Sequence, residues 1–445
     1  MESVDTIVVG AGVAGLAAAR LLALEGRRVV VLEARDRVGG RVWTDRSGGH
    51  ATDLGASWIH GVDGSPVAAA ARALGMRTEE LTVGSYQPGG RPIAYFDPDG
   101  ARMSDERAGG FVRDVETALE ALEPVVASSA PNATYRDVVE GALARLGWDE
   151  ARAARVREFL EHRTEEQYGA WIEDLAAHGL DDDAVDGVEV VFPDGYDALP
   201  RALATGLDIR LGQVVTEVEW SGAGVTVRTP HAALHAGAAV ITVPVGVLKS
   251  GDLRFSPPLP DPVAGALERL EMNAFEKLVL RFPTRFWDPD VDAIRQQGPA
   301  GRRWHSWYDL SRLHGVPTLL TFAAGPTARA IRGWDDAAVA ESVMEQLRRL
   351  YGDGIPDPTR VDITAWHADP FARGSYAYMV PGSTTSDHDA LATPVGGVLH
   401  LAGEATWTDD PATVPAAMLS GHRAAERVLG RALPIEALWE RSPSG

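Results

Sequence analysis

Two apolar rhythms divide this chain. Short runs rich in valine, isoleucine and leucine predict buried strands at 6–9, 28–32, 188–192, 209–211, 214–220, 225–228 and 238–243. A second set follows at 275–282, 318–322, 361–366 and 398–402. Elsewhere apolar residues recur at three- and four-residue steps, which predicts helices over 16–25, 65–74, 335–351 and 416–429. Between 104 and 177 that spacing is sustained, with Val112, Val115, Leu119 and Leu122 on one stripe, and a helical block is expected. Ser65 before Pro66 is a capped helix start, and residues 194–199 open a further short helix. Turn residues fill 84–100 around a hairpin expected at 93–96. Prolines crowd 256–262, where the chain is expected to cross over. Strands alternating with helices make the fold class α/β.

The first forty residues carry the clearest chemistry. Strand 6–9 runs into Gly10-Ala11-Gly12-Val13-Ala14-Gly15, an Ala/Leu-rich helix follows and Gly26 closes it; strand 28–32 then ends at Glu33. G-x-G-x-x-G between a strand and a helix, with an acid at the end of the next strand, is the dinucleotide-binding unit. Gly10 permits the turn, Gly12 lets a pyrophosphate approach the backbone, and Gly15 lets helix and strand pack closely. Free N–H groups and the positive dipole end at the helix start hold phosphates, and Glu33 is placed for ribose hydroxyls. Gly39 and Gly40 then allow close backbone approach, and Arg41 pairs with a phosphate or supports the turn. Residues 53–61 mix small side chains with Trp58 and His60, as a segment threading past a flat ring requires. Strands of the same buried type return in mid-chain and near the C-terminus, so the nucleotide domain is expected to be discontinuous.

Bulk properties narrow the partners. A chain of 445 residues exceeds one ordinary core, and two domains are expected. The net charge of −21 argues against nucleic acid and anionic membranes and suits cationic small molecules. Cysteine is absent, which excludes disulfides, thiolate nucleophiles, iron–sulfur clusters and cysteine-linked cofactors. No apolar run reaches the length of a membrane span, and the N-terminus leads almost directly into the first strand, so a cytoplasmic protein is expected. The oligomeric state is left open. His231 and His235 lack both a helical context and further ligands, so no metal site is expected. Of 42 basic residues only Lys249 and Lys277 are lysine. Where arginine serves as the general cation, Lys277 on strand 275–282 is expected to act as a compact, titratable ammonium. Lys249, after a surface turn, is expected to be structural.

With these segments in hand, the chain resembles the flavin-containing amine oxidase family of monoamine and polyamine oxidases. The resemblance rests on Gly39-Gly40-Arg41, the run from Leu54 to Gly61, Thr242-Val243-Pro244-Val245-Gly246-Val247-Leu248 and Glu276-Lys277-Leu278-Val279-Leu280. Trp366 with Asp369-Pro370-Phe371, Gly374-Ser375-Tyr376 and Ala402-Gly403-Glu404-Ala405-Thr406 complete it. It runs from Gly10 to Leu429, is weakest in the helical block, and in the Gly55–Gly61 run looks most like polyamine oxidases. It implies a Rossmann-like FAD-binding domain of discontinuous segments, 1–83, 188–258 and 391–445. A mixed-sheet substrate domain, 84–187 with the helical insertion and 259–390, would make up the rest. The implied reaction oxidises an amine C–N bond: hydride passes from the α-carbon to flavin N5, the imine hydrolyses to an aldehyde or ketone, and O2 becomes hydrogen peroxide. FAD would be non-covalent, because Ser375 stands where monoamine oxidases carry the cysteine that bonds the flavin.

Residue by residue, the resemblance places Lys277 beside N5 through a water, His60 near the amine and Tyr376 as an aromatic wall. Thr413 stands where a second aromatic often occurs, so the cage is incomplete or completed by Trp407. Gly10, Gly12, Ala14, Gly15, Glu33, Ala34, Arg35, Gly40, Arg41, Gly55, Ala56, Ser57 and Trp58 fall in the cofactor shell. Val215 would meet the adenine, Trp366 the ring, Gly403 and Glu404 the ribityl or pyrophosphate region, and Val414, after Thr413, a ring carbonyl. Trp304 and Tyr308 are expected in the substrate pocket. Glu165, with Glu166 and Tyr168, is either an acidic anchor for a second ammonium or a solvated helix face. A desaturase acting on C–C bonds is the rival enzyme, opposed by Lys277 and Tyr376; a non-catalytic FAD-binding module is the other rival.

Overall fold

Strand Glu2–Val9 lies between two parallel neighbours, Val29–Leu32 and Ala233–Ile241, at the centre of an eight-stranded sheet. The computed structural model describes residues 2–82, 92–179 and 186–440. Asp208–Arg210 extends the sheet beyond Val29–Leu32. On the other side Ala233–Ile241 forks, its first half antiparallel to Gly224–Arg228 and its second half parallel to Leu399–Leu401. Three separate stretches of chain thus share one sheet.

Helix Val13–Leu24 is buried from Val13 to Leu22 because the sheet covers one side and helix Val414–Leu429 the other. The two helices meet backbone to backbone: a Cβ on Gly421 would stand 2.1 Å from the Ala14 carbonyl oxygen. Helix Pro66–Ala73 has the expected cap, with the Ser65 hydroxyl accepting from Ala68 N at 3.2 Å.

The second sheet is mixed, in the order Arg360–Ile363, Phe275–Arg281, Thr318–Ala324, Ser306–Asp309, Ala293–Gln296, Ile93–Phe96. Alternation gives it two characters. Leu278, Leu280, Trp307, Leu319 and Ala323 pack in one core with Val339, Val343 and Leu347 of helix Asp336–Tyr351. Phe275, Lys277, Tyr308 and Phe322 take the opposite face. The helical block forms as three helices, Asp105–Ser128, Tyr135–Leu146 and Glu150–Tyr168, around their own core.

Some expectations change. Ile93–Phe96 does turn back locally, with Phe96 bridging Arg102 in antiparallel fashion and Met103 N donating to the Tyr95 carbonyl at 2.8 Å, but it also pairs in parallel with Ala293–Gln296, a long-range partner that local turn residues cannot reveal. Much of the turn-rich run 84–100 lies outside the described residues. The strand expected at 188–192 contracts to Val190–Val191 in a ribbon with Trp58–Ile59 and Glu79–Glu80. The one at 361–366 ends at Ile363, leaving Trp366 in the following turn. Ala293–Gln296 and Ser306–Asp309 escape the apolar pattern because Arg295, Gln296, Ser306 and Asp309 are polar yet buried. Among the described residues no helix is long and apolar enough to cross a membrane.

Candidate functional site

Both sheets contribute to one cavity of about 760 Å³. At one end it is lined by Gly10, Gly12, Ala14, Glu33, Ala34 and Arg35, and at the other by Lys277, Tyr308, Phe322 and Tyr376.

The three glycines of the turn meet three different needs. Gly10 has φ +103°, in the left-handed region. A Cβ on Gly15 would lie 2.0 Å from the Gly10 carbonyl oxygen. A Cβ on Gly12 would meet nothing within 4 Å, so its open side is the cavity it lines. The helix that begins there has no side-chain cap, which leaves its first-turn donors for a phosphate. Glu33 is 5% exposed, with one carboxylate oxygen accepting from Ala11 N at 2.6 Å and the other from Arg35 N at 2.9 Å. An elongated cavity with uncapped amides and a fixed carboxylate at one end fits a dinucleotide.

Side chains along the cavity brace one another. Arg35 forms a two-pronged pair with Asp369, one arm at 2.8 Å, so its guanidinium is already engaged by protein. Arg41 donates to Glu404 at 2.8 Å and to the Ser375 carbonyl at 2.9 Å, which makes it a support rather than a free phosphate ligand. Trp366 donates its indole N–H to the Leu54 carbonyl at 3.0 Å and stands edge-on to Trp43. Gly403, Glu404, Val215, Gly40, Gly55, Ala56, Ser57, Thr413 and Val414 all line the cavity. The Thr413 hydroxyl caps helix Val414–Leu429 by accepting from Ala416 N at 3.1 Å.

Lys277 is 7% exposed. Its Nζ donates to the Asp53 carbonyl at 3.2 Å, to the Gly55 carbonyl and to Ser57 Oγ, and lies 5.7 Å from the Trp58 ring centroid. Burial pushes the Lys277 amine below the usual lysine range, with the Asp53 carboxylate opposing, and burial pushes the Asp53 carboxyl up. Lys249, by contrast, bonds the Leu270 carbonyl and Glu271 and fastens a short helix to a strand.

An aromatic strip continues from Lys277. Trp58 meets Tyr308 (6.2 Å between centroids), Tyr308 meets Phe322 (5.6 Å), Phe322 meets Phe275 (4.7 Å), and Phe275 meets Tyr376 (5.7 Å). Tyr376 donates to the Gln167 carbonyl at 2.9 Å, and burial raises its phenol pKa. Phe275 and Phe322 were not singled out from the sequence, although Phe275 is two residues before Lys277 and Phe322 pairs directly with it. His60 sits at the exposed rim, bonded through Nδ1 to Glu189 and stacked on Trp58.

Three expected pocket residues are elsewhere. Trp304 is in the core behind the sheet, its N–H on Ser342 Oγ at 3.0 Å. Trp407 stacks under Arg423 and is not in the cavity lining, so it does not complete a cage with Tyr376. Glu165 faces away and pairs with Arg302 at 3.0 Å. Its neighbour Glu166 lines the cavity and accepts from Tyr308 Oη at 3.0 Å, Arg295 at 3.2 Å and Ser306 Oγ. No cluster able to hold a metal occurs among the described residues.

Residues 13–429 match the family described as flavin containing amine oxidoreductase. Polyamine oxidase 4 of Oryza sativa subsp. japonica is 33% identical, over 96% of this chain and 89% of that protein. Polyamine oxidase 2 of Arabidopsis thaliana is 34% identical, over 97% and 90%. Lysine-specific histone demethylase 1 homolog 1 of Oryza sativa subsp. japonica is also 34% identical, but the chain spans about half of its length, 52%. A solved structure of wild-type putrescine oxidase bound to putrescine has a TM-score of 0.78 at 21% identity, over 96% of this chain and 99% of that one, a likeness of fold. Matched over nearly its whole length, the chain belongs to the flavin-containing amine oxidoreductase family.

Proposed function

We propose that this chain is an FAD-dependent oxidase of amine C–N bonds, with polyamine-type substrates favoured over monoamines and amino acids. When bound, FAD supplies the two-electron acceptor that takes a hydride from the amine's α-carbon and passes the electrons to O2, giving hydrogen peroxide. Amides at the start of helix Val13–Leu24 would hold its pyrophosphate, Glu33 its adenosine ribose, and Trp366 and Val414 its ring. The bond to FAD is non-covalent, since the chain has no cysteine and the Ser375 hydroxyl donates to the Phe275 carbonyl.

The buried Lys277 carries this reading. An ammonium held by carbonyl and hydroxyl oxygens, beside an aromatic strip and with a lowered pKa, can give and take protons near neutrality. There it would orient the water that hydrolyses the imine and supply charge where oxygen is reduced. Tyr376, Phe275 and Phe322 would confine the α-carbon and exclude water. The polyamine preference draws on the two polyamine oxidases above and on the net charge of −21, which favours encounter with cations.

A peroxide-coupled screen of mono-, di- and polyamines and amino acids tests the proposal with purified holoprotein. Peroxide is expected with di- or polyamines. A flavin that no amine bleaches under nitrogen, with no peroxide in air, would overturn it.

A further inference from the structure

The rim pair His60–Glu189 is fixed by strand register. Trp58 pairs with Val191 and Ile59 with Val190 in antiparallel register, so His60 comes opposite Glu189. Residues directly opposite in such a ribbon present their side chains on the same face. On the other side of Glu189, Leu81 N donates to its carbonyl at 3.0 Å and its own N–H bonds Thr82 Oγ1 at 2.9 Å. The Glu189 backbone is therefore fixed on one flank by Leu81 and Thr82, and its carboxylate is held on the other by His60.

Glu166 and Glu189, two of the acids that line the cavity, differ in the cations beside them. Glu166 is tied to the buried Arg295 at 3.2 Å. Glu189 also lines the cavity, and among the described residues its carboxylate meets the imidazole of His60 and no guanidinium or ammonium. Its side chain is 12% exposed, so a cation reaching it is partly desolvated.

A path joins this acid to the buried lysine. His60 stacks on Trp58 with centroids 6.4 Å apart and rings 10° from parallel, and the Trp58 ring lies 5.7 Å from Lys277 Nζ. An extended methylene chain can lie along these ring faces, apolar on apolar, with a nitrogen at each end.

Building on the amine-oxidase reading, we propose that Glu189, oriented by His60, is a specificity-determining residue that receives the distal ammonium of a di- or polyamine. One amine stands at the Lys277–Tyr376 end while the other is held at the rim. Glu166, already neutralised by Arg295, does not take that role.

The test compares a long α,ω-diamine with its mono-N-acetyl derivative, which keeps the length and one amine but loses the distal charge. Wild-type holoenzyme is expected to prefer the diamine in kcat/KM. In Glu189→Gln that preference falls about tenfold, the size of one charge-assisted hydrogen bond. Glu189→Asp restores part of it, and retained FAD absorbance shows that the variants fold. Equal use of both compounds by the wild type, a result that needs no variant, would overturn the inference. So would an unchanged ratio in Glu189→Gln, and either would leave the amine-oxidase reading standing. A wild type that oxidises no amine would overturn both.

Discussion

Replacing two glycines of the turn separates holding the fold from holding the cofactor. In Gly15→Ala the new methyl would lie 2.0 Å from the Gly10 carbonyl oxygen and 2.9 Å from Thr242 Oγ1. The first neighbour is backbone and cannot swing aside, so the helix start must move. Overpacking of this kind costs about 1–3 kcal/mol, and a rigid neighbour points to the upper end. In Gly12→Ala nothing lies within 4 Å, and φ −73°, ψ 177° suits any residue. The poorer N-cap and the less flexible unfolded chain then oppose each other at about 0.5–1 kcal/mol each. The methyl nevertheless stands between the first-turn amides and the space a pyrophosphate would take. Losing two charge-assisted hydrogen bonds of about 1.5–3 kcal/mol each weakens FAD binding by about 100-fold or more. Urea unfolding at several FAD concentrations, extrapolated to zero, gives intrinsic stability, and its concentration dependence gives affinity. Gly15→Ala should lose both; Gly12→Ala should lose affinity alone. A Gly12→Ala protein that keeps wild-type affinity, or is as unstable as Gly15→Ala without FAD, would refute the reasoning.

Further outcomes follow from single residues. Denaturing the holoprotein should release all yellow colour into the supernatant, and colour retained on the chain would contradict a non-covalent flavin. Lys277→Met should slow reaction of the reduced enzyme with oxygen far more than reduction by substrate in stopped-flow traces; equal slowing would sink that role. If the amine reacts as its neutral form, kcat/KM should climb with pH towards the substrate's own pKa, and a flat profile under rate-limiting chemistry would count against amine oxidation. Burial raises Glu165 from the ordinary 4.5 to about 7, with Arg302 opposing. Between those values the folded chain keeps a proton the unfolded chain releases, so this group makes stability fall as pH rises, by at most about 1.4 kcal/mol per pH unit. Glu165→Gln should remove that fall, and parallel stability–pH curves for variant and wild type would falsify it.

What the sequence made legible was local. The strand, turn and helix at 6–33 are specified by neighbours in the chain, and their glycines occupy the three geometries the motif requires. Lys277 was legible for a compositional reason: in a chain that uses arginine almost everywhere, a lysine inside an apolar strand stands out. Side-chain direction was harder. Trp304 and Tyr308 are four residues apart, yet Trp304 enters the core beside Trp307 while Tyr308 faces the cavity. Glu165 and Glu166 are adjacent on helix Glu150–Tyr168, where one step turns the side chain by about 100°. The helix's apolar stripe, Ala153, Val156, Phe159 and Leu160, ends a turn before the two glutamates, so it does not tell which of them faces the cavity.

Glu189 marks the limit of sequence reading most sharply. Nothing in Val188-Glu189-Val190-Val191 suggests a site; its neighbours read as a short buried strand. Its place follows from register with Trp58–Ile59, more than a hundred residues earlier, and a one-residue slip would turn the carboxylate to the ribbon's other face. The same ribbon brings Trp58 to Lys277 on the mixed sheet. Three minimal strands, Trp58–Ile59, Glu79–Glu80 and Val190–Val191, therefore couple the rim of the cavity to its buried lysine. A short ribbon is a weak structure by itself. Here Val191 and Leu81 pack with Val279 and Leu320 of the mixed sheet, so the element proposed to read the distal charge is anchored on the strands that carry Lys277 and Phe322. The selection proposed at the rim and the chemistry proposed at the lysine would therefore rest on one packed unit.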